Sequence, residues 1–137
     1  MYRVISKDGK MAVAFSARLE NVDRFCREVK QMMDEEGLGA YHFKVQLLAR
    51  EALNNAVIHG CRNDATKVVE TVIEIKDNHL SFEIADPGEG FNWKECMQRG
   101  SDDRAASGRG LGIFQSYATE FSYNAEGNRL IIKMNLS

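Results

Sequence analysis

The chain has 137 residues, 44% of them hydrophobic and 28% charged, with a single proline and a formal net charge of −2. That length fits one domain, residues 1–137, with enough chain to bury a real core. Slight acidity and scattered Lys and Arg, with no dense basic cluster, exclude a general nucleic-acid binder.

From the N-terminus, residues 2–6 and 11–15 are short apolar runs joined by Lys7-Asp8-Gly9-Lys10, and Asp-Gly in that setting predicts a hairpin turn. From about Glu20 the period changes: Leu19, Val22, Phe25, Val29, Met32 and Met33 follow helical spacing, and Gly37 is placed to end the helix. A second helix is expected from about Tyr41 to His59. At about 100° per residue, Ala49, Ala52, Leu53 and Ala56 share one side, and Glu51, Asn55 and His59 drift along the other. Leu47, Leu48 and Ile58 flank that polar stripe, so burial over most of the circumference is expected. Val68–Ile75 and Leu80–Ala85 read as strands around the turn Lys76-Asp77-Asn78-His79, and Pro87 ends the second at about Asp86. Residues 92–107 read as a loop and Ile113–Thr119 as a short helix. Phe121–Ala125 and Arg129–Leu136 form a terminal hairpin about Gly127-Asn128. The pattern predicts an α+β domain, a two-layer sandwich with a mixed, mostly antiparallel sheet covered on one face by helices.

Cys26, Cys61 and Cys96 are odd in number and far apart, which argues against a zinc site or a disulfide framework. Three reduced thiols, no apolar signal core at the N-terminus and no stretch approaching a membrane span lead us to expect a cytoplasmic protein.

Three stretches carry chemistry. In Glu51-Ala-Leu-Asn-Asn55-Ala-Val-Ile-His59-Gly60, Glu51 and Asn55 lie one helical turn apart. Asn55 can offer an amide oxygen to magnesium, which takes most of its other ligands from water and phosphates. Glu51 can then orient or deprotonate the group attacking a γ-phosphate. A solvated polar helix face is the competing reading, and His59 is as readily a helix-end residue as a ligand. In Asp86-Pro-Gly88-Glu-Gly90-Phe91, Asp86 is either a strand-ending turn residue or the acceptor for an exocyclic amino group, as adenine offers. Gly88 and Gly90 would let a flat ring approach the backbone. Gly108-Arg109-Gly110-Leu111-Gly112 matches neither the Walker loop nor the dinucleotide fingerprint. It remains a loop whose free amides can hold phosphates.

These boxes, in this order, resemble the GHKL ATP-binding superfamily of gyrase, histidine kinases and mismatch-repair ATPases over roughly residues 15–136. Within it the chain looks most like the stand-alone anti-sigma factor serine kinases. The resemblance implies ATP and Mg2+ as cofactors, with Glu51 as catalytic base and Asn55 as metal ligand. It makes Asp86 the adenine reader, puts Gly88 and Gly90 in the base pocket, and puts Gly108, Arg109, Gly110, Leu111 and Gly112 at the phosphates beneath a lid loop between Phe91 and Gly108. Arg104 and Arg109 either add positive charge near the γ-phosphate or are solvated. The implied partners are a sigma factor and a small antagonist protein whose serine is phosphorylated, with a homodimer left open and neither nucleic acid nor membrane contacted directly. A non-catalytic module, in which ATP gates binding to a protein partner, is the alternative.

Overall fold

The computed structural model describes residues 1–90, 114 and 117–136. Its strands are β1 (Tyr2–Lys7), β2 (Lys10–Ser16), β3 (Val68–Lys76), β4 (His79–Ala85), β5 (Glu120–Tyr123) and β6 (Arg129–Asn135). They form one sheet in the order β1-β2-β3-β4-β6-β5. Every pairing among these strands is antiparallel, so the sheet is simpler than the mixed one the sequence allowed. The helices are α1 (Leu19–Glu35) and α2 (His42–Asn55), the latter continuing as a wide turn over Ala56–Gly60.

Period-two alternation gives the sheet its two faces. Met11, Val13 and Phe15 on β2, Val69 and Ile73 on β3, Leu80, Phe82 and Ile84 on β4, and Leu130, Ile132 and Met134 on β6 all point into the core. The helices cover that face. Phe25 of α1 stacks on Phe82 of β4 with ring centroids 5.6 Å apart, a contact that positions the helix layer over the sheet centre. On α2 the buried residues are Val45, Leu48, Ala49, Ala52 and Leu53. The alanines keep the helix close to its neighbours, and Leu53, fully buried, is the kind of residue whose truncation to alanine costs about 2–5 kcal/mol.

The end of α1 follows from Gly37, whose φ of +73° a side chain would strain. Leu38 N–H reaches the Met33 carbonyl at 2.8 Å and Gly37 N–H the Asp34 carbonyl at 3.1 Å, closing the last carbonyls in the usual glycine-terminated arrangement. The second helix differs from expectation in two respects. Its α-helical part stops at Asn55, because the Cys61 N–H bonds five residues back to Ala56 O at 2.8 Å and widens the final turn. It also buries one side only, since Leu47 is half-buried and Ile58 is 39% exposed; the sheet and α1 occupy one side of the helix and leave the other uncovered by them. Phe114 and Tyr117 are helical, with Ala118 N–H bonded to Phe114 O at 3.0 Å. Ala118 and Thr119 are not helical, so the expected helix ends before them, where the Thr119 N–H turns to Lys133 O at 2.8 Å; Ile113, Gln115, Ser116, the 92–107 loop and Cys96 lie outside the described residues.

Candidate functional site

The wide turn at the end of α2 aims Gly60 at the end of β4. A Cβ on Gly60 would lie 2.3–2.5 Å from the carboxyl atoms of Asp86, so only glycine lets that carboxylate sit against the helix end. Asp86 is held from both sides of its own turn. Its Oδ1 accepts the Gly88 N–H at 2.8 Å, and its N–H donates to Asn128 O at 3.0 Å.

Two hollows share Asp86 and Gly127. One, lined by Ala52, Asn55, Ile84 and Tyr123 among others, measures about 20 Å³, room for about one water. The other, about 570 Å³, is bounded by His59, Arg62, Lys67 and the 86–90 turn. That is the size of a small-molecule site. Its wall carries both a carboxylate and basic side chains, a combination that suits a ligand with an amino group at one end and negative charge at the other. The Cys61 thiol, buried at the same helix end, is pushed up to about 11 by its burial first and the neighbouring Asp86 charge second, with Lys67 opposing.

The structure brings Asn55 and Asp86 to the wall of one hollow. Glu51 stands half-buried one turn earlier on α2 and does not line either hollow. Gly88 and Gly90 both border the larger one, yet their missing side chains serve packing. A Cβ on Gly88 would lie 2.3 Å from Gly60 O, and one on Gly90, at φ +82°, would lie 1.7 Å from Glu126 O. Close approach by neighbouring backbone is what those two positions demand. Gly108, Arg109, Gly110, Leu111 and Gly112 lie outside the described residues, as does the loop expected between Phe91 and Gly108.

Sequence reasoning passed over Asn124 and Asn128. The Asn124 Oδ1 accepts N–H groups from Gly127, Asn128 and Arg129 at 2.8, 3.0 and 3.2 Å, and Asn128 reaches across to Gly88 O at 3.0 Å. The Gly127-Asn128 pair signalled a turn; nothing local signalled a contact spanning 40 residues. Among the described residues no cluster of three or more His, Cys, Asp or Glu is poised to hold a metal ion. The Asn55 amide oxygen is a hard donor, compatible with a magnesium ion that takes its remaining ligands from phosphates and water.

Residues 15–134 match the model of the histidine kinase-like ATPase domain. The chain belongs to that family. Membership in that ATPase family implies ATP binding. The chain is also similar to proteins named anti-sigma F factor. The one from Shouchella clausii is 28% identical over 93% of this chain and 93% of that protein. Those from Geobacillus kaustophilus and Clostridium acetobutylicum are each 28% identical, over 88% and 92% of this chain and 86% and 93% of theirs. Among the described residues no helix is long and apolar enough to cross a membrane.

Proposed function

We propose that this chain acts as a single ATP-dependent serine protein kinase domain, an anti-sigma regulator that binds a sigma factor and phosphorylates a serine on a small antagonist protein. The observation that carries this reading is the Asp86 carboxylate, fixed against the end of α2 on the wall of the hollow of about 570 Å³. Asp86 accepts the 6-amino group of adenine, and Gly108 to Gly112 cradle the phosphates. Asn55 would hold a magnesium ion, which would supply positive charge to the phosphates. In the transfer the serine oxygen bonds to the γ-phosphorus, the bond to the β–γ bridging oxygen breaks, and ADP leaves. Glu51 takes the serine proton. We place this regulator in the cytoplasm.

Its homodimer would use the open face of the sheet. There the register aligns Arg3, Ala14, Glu70, Ala85 and Arg129 in one row across five strands. Arginines flank a central glutamate with alanines between, so two copies related by a two-fold axis can set arginine over glutamate across an apolar floor.

The decisive experiment incubates the protein with γ-labelled ATP, magnesium and a soluble extract of its source. We expect label in one small protein as acid-stable phosphoserine, and loss of that label by about 10²–10⁴-fold in Glu51→Gln with ATP binding retained. Transfer at the wild-type rate by the variant contradicts the role of Glu51. The position of Glu51 off the walls of both hollows favours one second reading, a non-catalytic module whose partner affinity ATP controls. ATP binding that alters partner affinity with no phosphate released would establish it.

A further inference from the structure

We infer that Asn128, held by Asn124, is the positioning residue that aims Asp86 at the base, so the turn joining β5 and β6 sets the purine selectivity of a site whose own residues come from α2 and β4. This rests on the ATP-site reading above and adds to it a part of the molecule outside the three chemistry-bearing stretches.

Asn128 meets the 86–90 turn twice. Its backbone carbonyl accepts the Asp86 N–H at 3.0 Å, and its side-chain Nδ2 donates to the Gly88 carbonyl at 3.0 Å. Those two bonds bracket the residue whose carboxylate faces the hollow. The same carboxylate is bonded to the Gly88 N–H at 2.8 Å, so Gly88 is held on its carbonyl side by Asn128 and on its amide side by Asp86. The Gly88 N–H and carbonyl belong to successive peptides, so the two bonds hold the turn on both sides of Gly88.

Asn128 in turn has little freedom. Its Oδ1 accepts the Asn124 Nδ2–H at 2.8 Å. Asn124 is pinned by the three backbone N–H groups that its Oδ1 collects at Gly127, Asn128 and Arg129. An amide oxygen with three donors is saturated, and a network with each member engaged is stiff. Gly90 packs against the same turn from the other side, with no space for a Cβ before Glu126 O. Both polar ends of the Asn128 side chain are therefore committed to protein, to Gly88 and to Asn124. Asn128 lines the small hollow, with its side chain oriented by the Gly88 and Asn124 bonds. It acts through Asp86.

Base selectivity then depends on Asp86 being held where the 6-amino group arrives. A ligand without that group gains nothing from the placement. This separates a positioning role from a merely structural one, because loss of positioning weakens ATP alone, whereas general loosening weakens every nucleotide.

The test measures binding of ATP and of purine riboside triphosphate, which lacks the 6-amino group, to four proteins in the presence of magnesium. These are the wild type, Asp86→Asn, Asn128→Ala and Asn124→Asp. The wild type is expected to prefer ATP and Asp86→Asn to lose that preference. Asn128→Ala is expected to bind ATP about tenfold more weakly, the scale of one hydrogen bond, with purine riboside triphosphate unchanged. Asn124→Asp keeps an acceptor for the three backbone amides and sets an acceptor in place of the donor against Asn128 Oδ1. It is expected to fold and to lose affinity for ATP alone, about threefold. It serves as the test if Asn128→Ala does not fold.

A wild type with no preference removes the base-reader reading and this inference with it. A wild-type preference that survives in both variants overturns the inference alone. Equal loss for both nucleotides overturns it too, since that is the signature of a structural prop.

Discussion

The strand β4 runs between two turns of similar composition and different use. At one end Asp77 and Asn78, with φ of 51° and 61°, reverse the chain between β3 and β4 in the left-handed pair that a two-residue hairpin requires. Both side chains are exposed. Tertiary contact there comes from the backbone, where Asn78 O accepts the Leu136 N–H at 2.7 Å. At the other end, residues 124–128 also reverse a hairpin, but the Asn124 and Asn128 side chains collect backbone amides and brace Gly88, while the Glu126 carbonyl fills the space beside Gly90. Composition marks a turn. Which strand end the turn abuts decides whether it also shapes a site.

Substitutions at the two ends should therefore part company. The largest effect is expected at Gly90→Ala. The added Cβ meets Glu126 O at 1.7 Å and must adopt φ +82°, so overpacking and left-handed strain act together, about 2–5 kcal/mol of stability. ATP binding should fall with it. Gly60→Ala comes next. Its Cβ displaces the Asp86 carboxylate, and the loss of a charged hydrogen bond predicts ATP affinity lower by about 10–100-fold with a smaller change in melting temperature. Gly9→Ala, in the hairpin remote from Asp86, meets Ile75 O at 2.8 Å with φ +74°. It should cost about 1–3 kcal/mol in chemical denaturation and leave ATP affinity at the wild-type value. A Gly9 variant that loses ATP binding at full stability would erase the distinction between the ends.

A smaller effect is predicted from Cys61, whose thiol is pushed up to about 11 by its burial in the folded protein, against about 8.5 when unfolded. The unfolded chain gives up that proton first, so stability is full below pH 8.5 and falls as the pH rises toward 11. Cys61→Ala should flatten that part of the curve measured by urea unfolding. The smallest effect is expected at Asn78→Gly. Glycine adopts φ +61° freely, and the change should stay within about 1 kcal/mol with nucleotide binding untouched.

Local pattern explains what the sequence made legible. Gly37 as a helix terminator, the Asp8-Gly9 and Asp77-Asn78 reversals, and the alternation Leu80, Phe82, Ile84 are all properties of residues within a few positions of one another. Asn55 and Asp86 were each legible as candidates within their own stretches, and the fold sets both on one small hollow. The use of Gly88 and Gly90 was not. The sequence suggested room for a flat ligand, whereas their side-chain space is taken by Gly60 and Glu126, neighbours brought in by the fold. The widened turn after Asn55 was likewise hidden, because a helical period through Ile58 looks the same whether the last bonds span four residues or five. Asn128 was hidden for the reason that separates the two turns.

The account turns on whether Asp86 reads an adenine. Isothermal titration of the folded protein with ATP and magnesium, beside Asp86→Asn, addresses that directly. Micromolar binding in the wild type and its loss in the variant is the predicted result. Equal affinity in the two proteins, or no binding to folded wild type, would contradict it.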